Sequence, residues 1–387
     1  MPGQAAIRYT GKLGRLNFFV RSGDTCMTQT RRSFLKVAGA MGVAVCGCRW
    51  SQAQDVAGAV RGPISIEGRR VRTIDMHAHL LVPEVYPLIE NYPQAESDIG
   101  AFLRSPLAPR LMGIDSRLAD MDRQGIDVQA LTLHFQHQHD WAERDLANEI
   151  VSVLNEKMAE VVASHPDRFV GLGAVSLQHP DLAAAQVTHA VRELGLRGIM
   201  MTTLIGDEEI SAPRFDPFWR RAEELGAVVF IHPEGAADSP RLAGAGALGN
   251  TIGMPLDTTI ALSHMIFSGF LDRFPSINIV ASHGGGYLPS YIGRSDNCHL
   301  RNAACQAIEK QPSEYLRQLY YDTLLYSPAI LRNLIDEVGA DRIVLGTDYP
   351  FPIMSEDPVG DALAVEGLSE TELEAILGGT AARLLRL

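Results

Sequence analysis

The chain has 387 residues, of which 46% are hydrophobic and 21% charged, and this composition excludes a disordered or fibrous protein. Its 34 Lys and Arg residues are outnumbered by 46 Asp and Glu residues, which gives a formal net charge of −12. An acidic balance argues against nucleic acid as a partner, because phosphates bind to basic surfaces.

The first 60 residues differ from the rest because they carry a segment typical of protein export, TQTRRSFLKVAGAMGVAVCGC, at positions 28–48. The pair Arg31 and Arg32 precedes an apolar run that is much shorter than the roughly 20 residues of a membrane-spanning helix. The segment resembles a twin-arginine signal, with small residues around Ala53 for cleavage. We therefore expect residues 1–53 to be a signal region and the mature protein to be periplasmic or secreted, with no membrane span.

Two details of this region stay open on the sequence alone. Cys48, in the run Val45-Cys46-Gly47-Cys48, offers an irregular lipid-attachment site as an alternative to release. Met27 stands just ahead of the signal, in the usual place for a start codon, so translation from Met27 without residues 1–26 is an alternative to translation from Met1.

Two of the five cysteines, Cys298 and Cys305, lie outside the signal region. Seven residues apart on a predicted helix, they would share a face without being close enough to bond. We expect them to pack in the protein rather than to form a disulfide.

From about residue 66 the chain alternates short β-rich runs with helical stretches, the pattern of a parallel sheet with crossover helices. Eight strands are predicted: Val71–Asp75, Val128–Leu133, Phe169–Val175, Gly198–Thr202, Val228–His232, Ile277–Ser282, Leu319–Asp322 and Arg342–Asp348. Residues 60–387 are therefore predicted to form a single (β/α)8 TIM barrel, with a doubly wound open sheet as the alternative. The long loop 80–116 after the first strand is expected to cover the site as a lid.

Histidine or aspartate follows the apolar run of four predicted strands. The first strand ends in His77 and His79, the fifth in His232, the sixth in His283 and the eighth in Asp348. Barrel enzymes build their sites at the carboxyl ends of the strands, so these side chains are expected to converge. Alternation along a strand places both histidines of His77-Ala78-His79 on one face. Three imidazoles and a carboxylate suit one divalent metal, Zn²⁺ first and Mn²⁺ as an alternative.

Motifs beyond the metal residues carry a family resemblance from about Thr73 to the C-terminus. They include MDRQGIDVQAL, HPDRFVGLGAVSLQHPDLA, HGGGYLPSYIGR and GTDYPFP. With them the chain resembles the amidohydrolase superfamily, in its decarboxylase-like branch typified by aminocarboxymuconate semialdehyde decarboxylase. The resemblance implies a distorted (β/α)8 barrel of the metal-dependent hydrolase type.

The same resemblance implies roles for the strand-end residues. It makes His77, His79, His232 and Asp348 the metal ligands and His283 the residue that activates the water at the metal. Superfamily members with two metals use a Lys or Glu at the end of strand four, where this chain reads GIMMTT. A single metal is therefore expected.

The implied activity is nonoxidative decarboxylation of an unsaturated or aromatic carboxylic acid, with His283 and Asp348 handling protons. The alternative is a mononuclear zinc hydrolase of a lactone, ester or amide, or a hydratase. A zinc-binding protein without turnover is a third reading. The metal residues alone do not separate decarboxylation from hydrolysis.

Substrate contacts are expected from residues outside the ligand set. Arg294 in YIGR matches an arginine that, in this branch, reaches the substrate carboxylate in the neighbouring subunit, which implies a homodimer. Arg104 and Arg110 are both candidates for a second family arginine. His134 lies just after the second strand, where the site opens.

Glu234 marks a departure from the family pattern. The named decarboxylase has a tryptophan at the position after His-Pro, whereas this chain has Glu234. An acid there would repel an anionic group or bind a hydrogen-bond donor, so the substrate is expected to differ from the muconate compound.

Overall fold

The computed structural model describes residues 60–235, 240–244 and 246–387. The predicted signal region lies outside these residues. Within the described part of the chain, none of the helices is both long and apolar enough to cross a membrane.

Eight parallel strands form the central sheet, in the order of the chain, as the sequence predicts. They are β1 (Ile74–Leu80), β2 (Val128–Leu133), β3 (Phe169–Gly173), β4 (Gly198–Met201), β5 (Val228–Ile231), β6 (Asn278–Ala281), β7 (Tyr320–Asp322) and β8 (Ile343–Val344). The segment at and after β8 bonds to β1: Met76 N–H donates to Leu345 O at 2.8 Å, and His79 N–H donates to Tyr349 O at 2.8 Å. These bonds close the sheet into a barrel, so the open-sheet alternative is wrong.

The first strand is longer than predicted and lies further along the chain. It runs from Ile74 to Leu80, so His77 and His79 lie within it rather than after it. Its pairing with β2 shifts register between Asp75 and Ala78. Partners on both sides keep this stretch extended beyond the point where its apolar run ends.

Each strand is followed by helical structure that packs outside the barrel. The longer helices are α1 (Ile114–Gln124), α2 (Arg144–Ser164), α3 (Pro180–Arg192), α4 (Asp216–Leu225), α5 (Met254–Phe267), α6 (Leu288–Arg301) and α7 (Pro328–Val338), and α8 (Thr380–Leu385) follows near the C-terminus. Shorter helices are Tyr86–Ile89, Ala101–Leu103, Ala108–Met112, Phe270–Arg273, Pro312–Leu316, Pro358–Leu363 and Glu370–Glu374, with π-helical turns at Glu96–Gly100, Gly249–Gly253 and Ala375–Gly379. Small two-stranded ribbons pair Ser65–Ile66 with Arg69–Arg70, and Leu204–Ile205 with Glu208–Glu209.

Alternating residues of the strands divide between two apolar layers. On β5, Val228 and Phe230 belong to one buried cluster, whereas Val229 and Ile231 belong to a second that includes helix residues such as Trp219. This period of two is what a strand between a packed interior and covering helices requires.

The segment 80–116 is folded rather than an open loop. It forms several short helices and buries Val85, Ile89, Ile99 and Leu111. The Phe102 ring packs on the ring of His134, with 4.2 Å between their centroids. The segment thus lies against the end of β2, while its movement as a lid stays a prediction.

The two cysteines form a disulfide, and the expectation of simple packing is wrong. Helix α6 ends at Arg301, and a short 3-10 turn at Ala303–Cys305 brings the chain back. The Cα atoms of Cys298 and Cys305 are 5.8 Å apart, whereas a continuous helix would separate them by about 10 Å. The prediction failed because it assumed that the helix continues.

Candidate metal centre

The two histidines of β1 point the same ring nitrogen into the barrel. His77 Nε2 and His79 Nε2 are 3.1 Å apart, and both side chains are fully buried. The i, i+2 spacing on one strand produces this arrangement, as the sequence predicts. Two ring nitrogens at this distance share one small volume.

The other predicted residues meet at the same place. Asp348 Oδ1 is 3.2 Å from His79 Nε2 and 3.4 Å from His77 Nε2. The His232 ring centroid is 4.8 Å from that of His79. One ligand atom from each of His77, His232, His283 and Asp348 lies within 4.8 Å of the others. The fold therefore brings together all five residues predicted for metal binding and acid-base chemistry.

His283 and Asp348 both adopt left-handed backbone conformations, with φ of 53° and 62°. Such values are uncommon for residues other than glycine and are held only by surrounding bonds. His283 N–H donates to Asp322 Oδ2 at 3.0 Å, and Asp348 N–H donates to His77 O at 2.9 Å. The result is a 4.0 Å separation between His283 Nε2 and Asp348 Oδ2.

Asp322 contacts the centre directly, and the sequence analysis assigns it no role. Its Oδ2 accepts from His77 Nδ1 at 2.7 Å, and its Oδ1 accepts from Gly284 N–H at 2.9 Å. With Nδ1–H used in this way, His77 presents Nε2 as an acceptor to the centre. The available signal was its position at the carboxyl end of β7, the same position that identified the other residues.

The charges at the centre match a divalent cation. Burial lowers the pKa of His79, His232 and His283, so these imidazoles are neutral with a free lone pair. Burial alone would raise the pKa of Asp322 and of Asp348, but contacts with the histidines outweigh it and lower both values.

The pKa of His77 moves the other way. Burial lowers the pKa of His77, but the hydrogen bond with Asp322 and the charges of Asp348 and Asp322 outweigh burial, so the pKa lies above its ordinary value. Among the described residues, the ion pairs of these two carboxylates are with histidines, and none is with Lys or Arg. Buried negative charge beside converging nitrogens fits one metal ion with N and O ligands.

A buried network lies directly beneath the two histidines. Asp75 accepts from His77 N–H at 2.9 Å, from Gln129 Nε2 at 2.8 Å and from Thr347 Oγ1 at 2.7 Å. Arg117 donates from Nη1 to Gln129 Oε1 at 2.8 Å and from Nη2 to His79 O at 2.6 Å. The network therefore touches the backbone of both histidines and the residue before Asp348.

His134 lies next to the centre, as the sequence predicts. Its ring centroid is 6.1 Å from that of His79 and 4.3 Å from that of Phe135. His134 Nδ1 accepts from Gln136 N–H at 3.2 Å, while the buried Nε2 has no partner among the described residues. Burial lowers the pKa of His134 well below its usual value, so the ring is neutral and carries its proton on Nε2.

Glu234 is two residues beyond His232, and its side chain keeps contact with solvent. Surrounding protein atoms, and then the carboxylates of Asp140, Asp98 and Asp257, raise its pKa to about 7. The charged groups that act on the Glu234 carboxyl are thus all carboxylates.

The candidate arginines do not reach the centre within one subunit. Arg294 is exposed on α6. Arg104 pairs with Glu96, and Arg110 donates to Asp120 Oδ2 at 3.0 Å. Among the described residues, no Arg or Lys lines the cavity that His283 and Asp348 border.

That cavity has a volume of about 340 Å³ and opens to solvent. His283 and Asp348 form its inner end, and most of the remaining wall is apolar. A concave, largely apolar space with a few convergent polar groups is typical of a small-molecule site.

Comparison with known proteins identifies the same architecture. The family model described as amidohydrolase matches residues 74–387. The chain is 31% identical to 2-amino-3-carboxymuconate-6-semialdehyde decarboxylase of Dictyostelium discoideum over 331 residues, which cover 81% of this chain and 91% of that protein.

Solved structures of two aromatic acid decarboxylases are similar. The 5-carboxyvanillate decarboxylase of Sphingomonas paucimobilis matches with a TM-score of 0.74 and 27% identity, covering 82% of this chain and 99% of that one. The 5-carboxyvanillate decarboxylase of Novosphingobium aromaticivorans, complexed with manganese and 4-hydroxy-3-methoxy-5-nitrobenzoic acid, matches with a TM-score of 0.73 and 25% identity, covering 82% and 96%.

Proposed function

The chain belongs to the amidohydrolase family, and on this premise we propose that it is a metal-dependent nonoxidative decarboxylase of an aromatic or other unsaturated carboxylic acid. The observation that carries the proposal is the convergence of His77, His79, His232 and Asp348 beside His283 at the inner end of a largely apolar cavity. The decarboxylases to which the chain is similar along most of their length support this reaction class.

His77, His79, His232 and Asp348 would hold the metal ion. A site of imidazole and carboxylate suits Zn²⁺ and also accepts Mn²⁺, the ion in the Novosphingobium relative. We propose a single divalent ion and leave Zn²⁺ and Mn²⁺ to be separated by metal analysis. When bound, such an ion stabilises negative charge on substrate oxygens as a Lewis acid.

The chain's own residues would handle the proton. In decarboxylation of an aryl carboxylate, a proton joins the ring carbon, the bond from that carbon to the carboxylate breaks, and its electron pair stays with the ring as CO2 leaves. His283 Nε2 and Asp348 Oδ2 are 4.0 Å apart, and both side chains border the cavity. Among the described residues these two are the titratable side chains of the cavity wall with histidine or carboxylate groups, so we propose that they pass the proton to the ring carbon.

We propose that a second copy of the chain completes the binding site for the substrate carboxylate. Among the described residues, no basic side chain lines the cavity, whereas Arg294 is exposed on α6. A guanidinium from a partner can bind a carboxylate through two parallel hydrogen bonds. A homodimer would place that group at the site.

His134 and Glu234 are proposed as further substrate contacts. The Nε2–H of His134, which has no partner among the described residues, is a neutral donor beside the rings of Phe102 and Phe135, and it suits a phenol or carboxylate oxygen. Glu234 would accept from a donor substituent.

We also propose that the protein acts outside the cytoplasm. The twin-arginine segment supports this, and so does the disulfide between Cys298 and Cys305, because such bonds persist in oxidising compartments. Cell fractionation with a reporter fused after residue 60 tests it, and a Lys-Lys replacement of Arg31 and Arg32 is the control. A reporter that remains in the cytoplasm in both cases contradicts export.

Mass spectrometry tests the reaction class. The purified protein, loaded with Zn²⁺ or Mn²⁺, is incubated with a mixed panel of aromatic and dienoic carboxylates, lactones and amides. We expect that at least one acid of the panel loses CO2 with the wild-type protein, and that the same acid does not react with the His283→Gln variant. Gain of water instead would make the protein a hydrolase or hydratase.

A further inference from the structure

The cavity beside His283 and Asp348 extends well beyond the space that a carboxylate needs. Its outer wall combines side chains from separate elements: Met254 on α5, Leu325 after β7, Ile330 on α7 and Ile353 after β8. Its volume of about 340 Å³ lies within the range of sites that bind whole small molecules. The space is therefore built for part of a substrate that lies away from the proton-handling pair.

The charge of this wall restricts what can enter it. Asp348 is the only carboxylate and His283 the only histidine among the described residues that line it, and no Lys or Arg is present. A second carboxylate on the substrate would lose its hydration here without gaining a cationic partner from the same subunit, and the Arg294 proposed from the second copy is used by the reacting carboxylate. Apolar groups face no such penalty.

Glycines of the HGGG motif shape this wall. A Cβ added at Gly286 would lie 2.1 Å from Pro255 O, and one added at Gly284 would lie 2.6 Å from a methyl carbon of Leu325. Both glycines also have positive φ, of 66° and 60°. The motif thus lets α5 and the loop after β7 approach His283 and form the apolar surface.

The rim of the cavity leaves large apolar side chains in water. Tyr326, Ile330 and Ile353 are 51%, 45% and 37% exposed. Tyr326 also has a left-handed backbone, with φ of 52°, which is rare for an aromatic residue and typical of functional sites. A contiguous exposed apolar rim around a cavity is typical of a ligand-binding surface.

We propose that this outer cavity is a subsite for an apolar ring substituent, so that the preferred substrate is an aromatic monocarboxylic acid carrying an alkyl chain rather than a dicarboxylic acid. The inference rests on the proposed function and narrows its substrate class. The carboxylate lies at the metal centre, and the alkyl chain extends between Leu325 and Ile330.

A substituent series tests this with the metal-loaded full-length mature protein. The kcat/KM for CO2 release is measured for 2-hydroxybenzoate and for its methyl, propyl and pentyl derivatives, substituted at ring position 4 and separately at position 5. In one of the two series, kcat/KM is expected to rise about fourfold per added methylene until the cavity is filled. A ring that carries a second carboxylate at the same position is expected to react more slowly than the parent acid.

Binding of product-like phenols gives a second readout that needs no turnover. Phenol and pentylphenol are compared by calorimetry, and the pentyl compound is expected to bind more tightly. CO2 release without any gain along either alkyl series, together with equal binding of the two phenols, overturns the inference and leaves the proposed function intact. Absence of CO2 from every acid, together with tighter binding of pentylphenol, overturns the proposed function and leaves the subsite.

A variant with a charge on the cavity wall tests whether the apolar rim binds the substrate or serves another purpose. Ile330→Glu is expected to lower kcat/KM for the pentyl acid at least about tenfold while the parent acid changes little, because the chain then meets a carboxylate. The matched control is Leu363→Glu, which changes an apolar side chain that is 50% exposed and outside this wall. Equal effects of Ile330→Glu on both acids, or a dimer that dissociates in sedimentation, would show that the rim serves another purpose and overturn the inference.

Discussion

Thr347 donates its hydroxyl to Asp75 Oδ2 at 2.7 Å, although the two residues are 272 positions apart in the chain. The bond joins the segment that carries Asp348 to the strand that carries His77 and His79. Burial raises the pKa of Asp75 to about 6, while its bonds with Thr347, the His77 backbone and Gln129 oppose that rise. One buried carboxylate therefore connects the two parts of the chain that supply metal ligands.

Removing the Thr347 hydroxyl should weaken the metal centre. Thr347→Val keeps the shape of the side chain but leaves Asp75 with one acceptor bond fewer, at a cost of about 1–3 kcal/mol in the free energy of unfolding. Metal affinity, measured by competition with a chelator, should also fall. Thr380→Val is the control, because Thr380 is equally buried and its hydroxyl has no partner among the described residues. Unchanged metal affinity in Thr347→Val would show that the network supports the fold alone.

Asp322 is not a predicted metal ligand, but its charge should strengthen metal binding by His77. In Asp322→Asn an oxygen still accepts from His77 Nδ1, but the negative charge is lost. Metal affinity is expected to fall about 10- to 100-fold, as when the partners of ligating histidines are changed in other proteins. The measurement is metal content after dialysis against graded chelator, with circular dichroism to confirm the fold. An unchanged affinity would exclude an electrostatic role for Asp322.

His283 is expected to act on protons rather than to hold the metal. His283→Gln should lower CO2 release by at least about 100-fold with metal content unchanged. The distances also allow His283 as a ligand, since one of its nitrogens lies within 4.8 Å of the ligand atoms of His77, His232 and Asp348. Loss of the metal together with activity would assign His283 to the ligand set.

Arg294 can be tested by mixing two inactive variants. Arg294→Ala and His283→Gln are unfolded together, refolded and assayed. If Arg294 acts across a dimer interface, each mixed dimer contains one intact site, and about a quarter of wild-type activity should return. Arg294→Lys is the conservative control for charge without the two-pronged hydrogen bonding. No recovery on mixing, in a protein that sedimentation shows to be a dimer, would place Arg294 in its own subunit's site or outside any site.

Asp257 gives a pH dependence of known sign. Burial raises its pKa, although the hydrogen bond from Thr203 lowers it. The unfolded carboxyl loses its proton near the ordinary value of 3.8 and the folded one at higher pH, so stability falls as pH rises through this interval. Asp257→Asn should therefore be more stable than the wild type at pH 8, with a smaller advantage as pH is lowered toward 4. Urea unfolding at several pH values measures this.

The control for Asp257 has the opposite sign. Arg144 lowers the pKa of the exposed Asp181 to about 2, so the charged form of Asp181 favours the folded state at neutral pH. Asp181→Asn should therefore lose stability relative to the wild type at pH 8 and not gain it. A decrease for Asp257→Asn at pH 8 would contradict the argument from burial.

The sequence predicts much of the site because the signals are local. His77 and His79 could be placed on one face from strand alternation alone, and His232, His283 and Asp348 from their positions after apolar runs. Their meeting then followed from the parallel barrel, which collects the carboxyl ends of all strands at one side. Asp322 carries the same signal at the end of β7, but the sequence alone gives no reason to distinguish it from an ordinary strand-end acid.

Errors arose where a local rule was extended beyond its range. The apolar pattern predicts that the first strand ends at Asp75, but pairing on both sides extends it to Leu80. A continuous helix would keep Cys298 and Cys305 too far apart to bond, whereas α6 ends at Arg301 and the chain turns back to form the disulfide. The signal region, the lid movement and the dimer stay predictions.

By itself the sequence determined the eight strand-helix repeats and the residue types at their ends, because alternation and apolar runs are set by neighbours a few positions apart. Only the tertiary structure decided that Asp75 joins Thr347, that Asp322 orients His77, and that the cavity beyond His283 is apolar without an Arg or Lys among its described lining residues. These contacts link residues far apart in the chain, and their geometry depends on how the barrel closes. The periodic patterns of the sequence do not predict how the barrel closes.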